Sequence, residues 1–385
     1  MRRDDIQFFK TRKLEELDFL SNSPPSVFIG SKLKYPNVNV GILSPSQPLK
    51  QVELLNNSNE WTSLNLSINQ ILGLRNQLIN SRFTTSVRMS NKLTEKSQEI
   101  GMASKPTDLE INLEKIPRYS KELDRITKPI SLSAPLKNIR ITENTKIHTK
   151  VDKVVSDTDM KANEAINYLY NNGFDEGFLQ QLLTIGSLGL KKNRKLVPTR
   201  WGITATDDIL GKEIMKEIKN YEKINEHILF FDKYLGNYYF ILLIPEIFSY
   251  ELFEYGVMYG QIKGESTDFE DYFGRKNYAS NSVGGYYSVR LSVLEYLRRI
   301  KRQAGAFIIR FETEEYWANL GVWVTRSCAR RAMGNESVSF HSRESALDFM
   351  RNFILNKTRI DVGHVFKKSR LLNYVKEQKG LKEFL

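Results

Sequence analysis

The sequence has little of what disulfide-rich and metal-binding domains depend on, with one cysteine, Cys328, and four histidines in 385 residues. A single cysteine excludes an intrachain disulfide, and with so few histidines it also excludes a Cys/His zinc finger. No apolar run reaches the roughly 20 residues needed to cross a bilayer, because the longest candidate, residues 228–248, contains Asp232, Lys233 and Asn237. The first thirteen residues are charged, but no apolar segment follows them, so no secretory signal peptide is predicted. We therefore expect a soluble, cytoplasmic protein without membrane contact, and we predict no bound cofactor.

Proline is scarce in the later part of the chain, and Phe and Tyr are scarce in the earlier part. Nine of the eleven prolines precede residue 136, whereas 32 of the 39 Phe and Tyr residues follow residue 150. Prolines mark turns, and dense aromatic residues mark a packed core. We predict an α+β (mixed α/β) fold with three parts. These are a Pro-rich, turn- and strand-rich layer over 1–150, packed on an aromatic-rich α/β main body over 151–345, and a basic helical tail over 346–385.

Hydrophobic periodicity predicts the main elements of these parts. Strict alternation of apolar and polar residues predicts strands at 38–43 and 108–113. Apolar residues at helical spacing predict helices at 62–81, 158–171, 178–183, 209–226 and 289–302. Longer apolar stretches predict two strands within 228–248, separated by a turn near Gly236, and a buried strand at 306–309.

The formal net charge is +12, and a concentrated part of it lies between residues 191 and 200. That segment has five basic residues and no acid: Lys191, Lys192, Arg194, Lys195 and Arg200. Clustered cations suit phosphates, because each contact releases condensed counterions. The segment is therefore predicted to bind nucleic acid, with a solvated loop as the alternative.

Acidic residues close to this segment raise the question of catalysis. Asp207 and Asp208 are adjacent carboxylates that could hold a divalent metal. Their position just before the predicted helix at 209–226 favours capping of that helix over metal binding, so no metal site is predicted. Together with Glu295, they are the candidates for catalytic carboxylates.

A second cationic group follows paired glycines at a predicted helix start. Gly284 and Gly285 can present backbone N–H groups to an anion, and Arg290 lies one turn further on. The helix and its end continue this basic arc with Arg298, Lys301 and Arg302. The arc is a predicted phosphate-binding face, with an ordinary solvated helix face as the alternative.

The final residues match the pattern Gln-x-x-Leu-x-x-Phe-Leu, formed by Gln378, Leu381, Phe384 and Leu385. At helical spacing, the three apolar side chains share one face and form a hydrophobic plug beside Gln378. The pattern predicts a docking peptide that binds in a groove. The alternative is a last helix that folds back on its own domain.

Several segments resemble the archaeal NreA family of DNA repair proteins. They are Arg194 to Asp208, Ser23 to Gly30, Ser133 to Arg140, and Gly284 to Met333, in the order of the family. The resemblance implies repair of damaged DNA and binding of the sliding clamp PCNA through the C-terminal peptide (a PIP motif). Leu385 stands where a second aromatic residue is usual. Many relatives start with a four-cysteine element that this chain lacks, so the resemblance implies no zinc here, and it assigns no catalytic residues.

The leading interpretation is a DNA repair factor of the DNA damage response that binds PCNA and contacts nucleic acid through basic patches. One alternative is a nuclease or nucleotide-processing hydrolase, with a site near 200–208 and 284–290. The other is a non-catalytic structural adaptor. DNA and PCNA are the expected partners, and a nucleoid-associated location in the cytoplasm is expected.

Overall fold

The computed structural model describes residues 16–31, 33, 35–119, 125–130, 132–282 and 285–377. The chain divides into two units, each with its own sheet. The first unit runs to Leu210 and includes Asn319–Gly321, and the second comprises Gly211–Ala318 and continues from Val322. The boundaries expected at residues 150 and 345 stay predictions.

The first unit is built on a mixed sheet with the strand order β1-β5-β7-β4-β3-β2, and β6 pairs with β7 outside this path. Its pairings are antiparallel except that of β4 with β7, which is parallel. The alternation predicted at 38–43 and 108–113 is confirmed as β3 and β5. The strands are β1 (Asp18–Ser23), β2 (Val27–Ile29), β3 (Asn37–Ser44), β4 (Ile79–Ser86), β5 (Thr107–Leu113), β6 (Arg118–Tyr119) and β7 (Leu132–Ile141).

The helices of the first unit begin at polar caps, as short polar side chains favour. Asn57, Ser67, Asn91 and Asp175 each accept a backbone N–H of the first helical turn. The helices are α1 (Ser58–Ser63), α2 (Ile68–Arg75), α3 (Lys92–Met102), α4 (Thr149–Ser156), α5 (Ala162–Asn171), α6 (Glu176–Thr184) and α7 (Thr199–Ile218), which continues into the second unit.

The single helix predicted at 62–81 is wrong. The chain forms α1, a break, α2 and the start of β4 there. Asn65 adopts a left-handed conformation with φ of 50°, which ends the first helix. Ser67 then starts the second in a reciprocal capping box with Gln70. Local side-chain hydrogen bonds therefore overrode the apolar periodicity.

The second unit has a sheet with the strand order β11-β10-β12-β9-β8-β13, in which β10 and β12 are parallel. The two strands predicted within 228–248 and the buried strand at 306–309 are confirmed. Leu235 and Gly236, with φ of 50° and 74°, form the tight turn between β8 and β9. The strands are β8 (His227–Tyr234), β9 (Asn237–Ile244), β10 (Ser249–Met258), β11 (Gln261–Glu270), β12 (Gly305–Glu312) and β13 (Val338–Phe340).

The helices of the second unit contribute to its core. Buried residues of the last three helices, among them Met350, Val365 and Leu371, pack with Phe307 and Phe311 of β12. The helical structure predicted for the tail is confirmed up to Glu377. The helices are α8 (Gly285–Ile300), α9 (Trp323–Ala332), α10 (Arg343–Thr358), α11 (Gly363–Lys368) and α12 (Arg370–Glu377).

These elements confirm the predicted α+β class, because mixed sheets and helices occur in both units. Among the residues that the structure describes, no helix is both long and apolar enough to cross a membrane.

Candidate nucleic-acid interface

The basic segment 191–200 has a fixed backbone within the first unit. It begins with a 3₁₀ turn at Lys191–Asn193 and leads into α7 at Thr199. Leu196 N donates to Val87 O over 2.9 Å, and Val197 N donates to Thr184 O over 2.8 Å. The Thr199 hydroxyl accepts the N–H of Ile29 over 2.8 Å. Separate parts of the sequence thus hold this segment in one conformation.

Gly186 allows the chain to pass close to this segment. Its φ of +73° lies in the left-handed region, and a Cβ there would lie 2.7 Å from the carbonyl carbon and oxygen of Lys195. Both the conformation and the space require glycine. The backbone of Lys195 is therefore packed tightly even though its side chain is exposed.

Four of the five cations of the segment divide into two groups. Lys191, Lys192 and Lys195 are exposed, and no ion pair joins any of them to another residue that the structure describes. Arg194 instead donates to three carbonyl oxygens, those of Gly189, Val155 and Asp157, each over 2.7 Å. Burial lowers the pKa of this guanidinium. Arg194 therefore secures the segment, and the three lysines present positive charge to solvent.

Two large aromatic side chains lie together beside these lysines. Trp201, in the first turn of α7, is 51% exposed and Tyr35 is 50% exposed. Their ring centroids are 6.4 Å apart, with a 41° angle between the planes. Lys195 Nζ lies 3.2 Å from the Tyr35 hydroxyl and 5.8 Å from the centre of its ring. Sequence reasoning did not select either aromatic residue, although an aromatic directly after a basic run is a recognisable signal of nucleic-acid binding.

Arg200, Asp207 and Asp208 all lie on α7. This helix begins at Thr199, directly after Pro198, so the interpretation of the two aspartates as caps of a helix at 209–226 is wrong. Asp207 is only 1% exposed and Asp208 is half-buried. Each of these three residues has at least one interaction partner.

The second predicted group, around α8, belongs to the second unit. Gly284 lies outside the described residues. Gly285 begins α8 and is packed so closely that a Cβ would lie 2.5 Å from Glu254 Oε1. Arg290 is 2% exposed, and its Nη1 lies 2.9 Å from Oε2 of the fully buried Glu270. The positive charge of Arg290 is thus neutralised inside the unit.

The remaining residues of the α8 arc have mixed environments. Arg298 is half-buried, and Lys301, just after the helix, is exposed. Arg302 lies 3.4 Å from Glu222 at the surface. Glu295, a catalytic candidate, accepts two hydrogen bonds of 2.8 Å from Arg330 of α9. The fork geometry makes Glu295 a strong structural link between α8 and α9.

The catalytic candidates are therefore divided between the units. Asp207 and Asp208 belong to the first unit, and Glu295 belongs to the second. Across the described residues, no group of three or more His, Cys, Asp or Glu side chains could hold a metal ion.

The predicted docking residues Gln378, Leu381, Phe384 and Leu385 lie outside the described residues. The helix before them, α12, is fixed at its start by a buried carboxylate. Glu251 of β10 accepts the Ser369 hydroxyl over 2.5 Å and the N–H groups of Arg370 and Leu371 over 3.0 and 3.1 Å. Burial raises the pKa of Glu251. The last helix that the structure describes is therefore anchored at its start to the sheet of the second unit.

Comparison with known proteins shows where the chain belongs. Two family models match it, one described as "Archaeal Nre, N-terminal" over residues 3–258 and one as "Archaeal Nre, C-terminal" over residues 270–384. The chain belongs to the archaeal Nre family. The resemblance inferred from its sequence segments is thereby confirmed. No solved structure matches the chain.

Nre relatives with curated names are similar over most of their length. The chain is 37% identical to DNA repair protein NreA of Archaeoglobus fulgidus, over 92% of this chain and 90% of that protein. It is 36% identical to DNA repair protein NreB of the same organism, over 96% and 93%. It is 32% identical to DNA repair protein NreA of Haloferax volcanii, over 81% and 77%.

The Nre models separate the chain at a different place from its spatial units. The gap between the two models, residues 259–269, falls in the hairpin of β10 and β11, inside the second unit. The basic segment and Trp201 lie within the N-terminal Nre model, and α8, α9 and the predicted docking peptide lie within or at the end of the C-terminal one.

Proposed function

We propose that this Nre protein is a DNA repair factor that contacts DNA through the segment 191–200 and binds the sliding clamp PCNA through residues 378–385. The names of its relatives support the repair role, because three proteins at 32 to 37% identity are called DNA repair proteins. A location in the cytoplasm, at the nucleoid, follows from this role.

One observation carries the DNA contact: Lys191, Lys192 and Lys195 are exposed on a backbone that neighbouring elements hold in place. Little conformational entropy of the main chain is lost when such a segment binds. Lysine ammonium groups interact with phosphates as point charges and make no contacts with base edges. Weak sequence selectivity is therefore expected.

The test of the DNA contact replaces all three lysines with serine. Affinity for a labelled duplex should fall, and the slope of log affinity against log salt should become shallower by about 0.9 for each phosphate that a lysine no longer neutralises. The matched control replaces Lys216, Lys223 and Lys233, which lie 2.8, 3.1 and 2.8 Å from glutamate oxygens. Because these control charges are already paired, replacing them should change binding little. If the affinity changes neither with salt concentration nor on replacement of Lys191, Lys192 and Lys195, the DNA contact is refuted.

The spacing of the apolar residues supports clamp docking. Leu381, Phe384 and Leu385 share one face at helical spacing, and the peptide follows a helix that Glu251 anchors. A peptide of this length must be ordered on binding, so micromolar affinity is expected. Lys376, Lys379 and Lys382 should speed encounter with an acidic clamp surface more than they slow dissociation.

Calorimetry with purified PCNA tests the docking peptide. Phe384→Ala should weaken binding by about 2 kcal/mol or more, because a buried aromatic anchor dominates such an interface. Glu383→Ala, one position away and off the apolar face, is the matched control and should have little effect. Equal affinity of the whole chain and of a chain without residues 378–385 would show that the peptide is not the docking element.

The hydrolase and adaptor alternatives stay hypotheses. Metal-dependent hydrolysis of labelled DNA or nucleotides, abolished in Asp207→Ala or Asp208→Ala without unfolding, would support the hydrolase. Clamp binding without any DNA contact or turnover would support the adaptor.

A further inference from the structure

Tyr35 and Trp201 form the aromatic pair, a half-exposed apolar surface in the first unit. Two other tryptophans of the chain are buried, Trp61 at 0% and Trp323 at 5% exposure. Single exposed apolar side chains are ordinary, whereas contiguous exposed apolar surface is typical of binding sites. The two rings come from separate parts of the sequence and lie 6.4 Å apart.

The charge around the aromatic pair indicates the kind of ligand. Lys195 contacts the Tyr35 ring and hydroxyl, and Lys191 and Lys192 are exposed on the same basic segment. A ligand that complements both features carries repeated negative charge together with flat aromatic groups. Nucleic acid has both, but its bases offer their faces only where the strand is unstacked.

The support beneath Trp201 makes the pair a fixed surface. Gly202, the next residue, is packed so closely on α6 that a Cβ would lie 2.3 Å from Thr184 Cγ2. Two residues before Trp201, the Thr199 hydroxyl accepts a hydrogen bond from the N–H of Ile29 in β2. The first turn of α7 cannot shift without breaking these contacts, so the indole is held at the surface by rigid elements.

We propose that Tyr35 and Trp201 are a stacking platform for the bases of single-stranded DNA, whose phosphates contact Lys191, Lys192 and Lys195. This inference rests on the DNA contact proposed above and adds the form of DNA that is bound. Stacking on aromatic rings tolerates any base, so the platform selects unpaired over paired DNA and does not select a sequence.

The chain offers a matched control for Trp201. Trp317 is 61% exposed, and it follows Glu314 and Glu315 in a segment of the second unit. It has the same chemistry and similar exposure, and the charged residues just before it in the sequence are acidic rather than basic. A replacement there reports any general effect of removing a surface indole.

The experiment measures fluorescence anisotropy of a labelled oligothymidine of about 16 nucleotides, the upper end of the usual site size for one module. The same label on a duplex of equal length is measured in parallel. Trp201→Ala should weaken single-strand binding about tenfold and duplex binding by less than about twofold. Trp201→Phe should retain most of the affinity, and Trp317→Ala should bind both DNAs as the unaltered chain does. Melting curves of each variant check that it is folded.

A spectroscopic readout separates stacking from a merely structural role of the indole. Single-stranded DNA should quench the tryptophan emission of a Trp317→Phe chain, which keeps Trp201, and should leave that of a Trp201→Phe chain nearly unchanged. Absence of this difference would overturn the platform.

The remaining outcomes are distinct. If Trp201→Ala binds the single strand normally while the triple lysine variant does not, the platform is overturned and the DNA contact stands. If Trp201→Ala weakens single-strand and duplex binding equally, stacking is overturned, because the indole then only supports the basic segment. If the unaltered chain binds neither DNA, the platform and the DNA contact both fail.

Discussion

Two buried arginines, Arg75 of the first unit and Arg290 of the second unit, are satisfied in different ways. In the first unit, Arg75 donates to the carbonyl oxygens of Pro129 and Leu55 and to the side-chain oxygen of Asn56, over 2.9, 3.3 and 2.9 Å. In the second unit, Arg290 is paired with the carboxylate of Glu270. Carbonyl groups accept hydrogen bonds from the guanidinium but do not neutralise its positive charge. A carboxylate accepts the hydrogen bonds and also neutralises the charge.

A second pair of arginines shows the same difference. Arg194 of the first unit also uses carbonyl oxygens, whereas Arg310 of the second unit lies 2.5 Å from Glu254 and 2.8 Å from Glu312. Basic residues in the sequence therefore do not by themselves predict a basic surface. Arg290 adds to the formal charge yet presents none of it, and the positive surface of the segment 191–200 comes from three lysines.

The largest expected effect comes from breaking the carboxylate pairing in the second unit. Arg290→Met leaves Glu270 as an uncompensated buried charge and should cost about 3–5 kcal/mol. Cys328 provides the measurement, because it is the one cysteine of the chain and is buried in α9 of the same unit. Burial raises the pKa of its thiol to about 12. A thiol reagent should therefore label it only on opening, and labelling should accelerate strongly in the variant.

The control for this prediction removes both charges. The double variant Arg290→Met with Glu270→Met should recover most of the stability, because two apolar side chains need no counter-charge. A rate of Cys328 labelling in Arg290→Met equal to that of the unaltered chain would contradict the role assigned to the pair.

An intermediate effect is expected for the matching change in the first unit. Arg75→Met leaves the carbonyl groups of Pro129 and Leu55 without this donor, and the Asn56 amide oxygen keeps only the 3.3 Å hydrogen bond from Lys128 Nζ. This loss should cost about 1–3 kcal/mol. The cost is smaller than for Arg290 because no charge is abandoned. Hydrogen exchange of peptides from α2 should report the loss of stability. The stability of Arg75→Lys should lie between that of the unaltered chain and that of Arg75→Met. A larger cost for Arg75→Met than for Arg290→Met would invert the comparison.

The smallest effect is expected for a surface pair. Arg351 donates to both oxygens of Asp361 over 2.7 Å, and Gly363 N donates over 2.9 Å. The Arg351 bonds and then the backbone bond lower the pKa of Asp361 from 3.8 to about 2. A carboxyl whose pKa is lower in the folded state stabilises the fold above its unfolded pKa and loses that effect as pH falls. The melting temperature of the unaltered chain should therefore exceed that of Asp361→Asn near neutral pH. This difference in melting temperature should shrink as the pH falls from about 4 to about 2.

A surface pair in the first unit sharpens this last test. Arg140 and Glu110 lie 3.7 Å apart and are both exposed, without the fork geometry of Arg351 and Asp361. Glu110→Gln should give a smaller gap in melting temperature than Asp361→Asn, since exposed pairs of this kind contribute little. A gap for Asp361→Asn that is constant across pH would refute the linkage.

The elements with strong local signals were predictable from the sequence. Alternation identified β3 and β5, and the apolar stretches identified β8, β9 and β12, because burial of one or both faces fixes their residue pattern. The start of α7 was missed because it depends on Pro198 and on a hydrogen bond from Ile29, which is distant in the sequence. The left-handed conformation of Asn65 and the capping box of Ser67 with Gln70 divided a stretch whose periodicity suggested one helix.

The candidate site was predictable in composition and not in arrangement. The run of cations from Lys191 to Arg200 is visible in the sequence, but the use of Arg194 as a structural donor depends on carbonyl groups of Val155 and Asp157. The pairing of Tyr35 with Trp201 and of Arg290 with Glu270 likewise joins residues that no local pattern connects. The docking peptide stays a prediction from its sequence.

The strand order of the second unit has a consequence for synthesis on the ribosome. Strand β12 lies between β9 and β10 in the sheet, although it follows both in the chain. The nascent chain therefore holds β9 and β10 without their shared neighbour until residue 312 has emerged. The face that packs against Leu371 and Leu372 stays uncovered for longer still. Unpaired edges and open apolar faces attract chaperones and promote aggregation. The second unit should thus be the part of the nascent chain that most needs chaperone protection, and it should complete folding only after residue 372 has emerged.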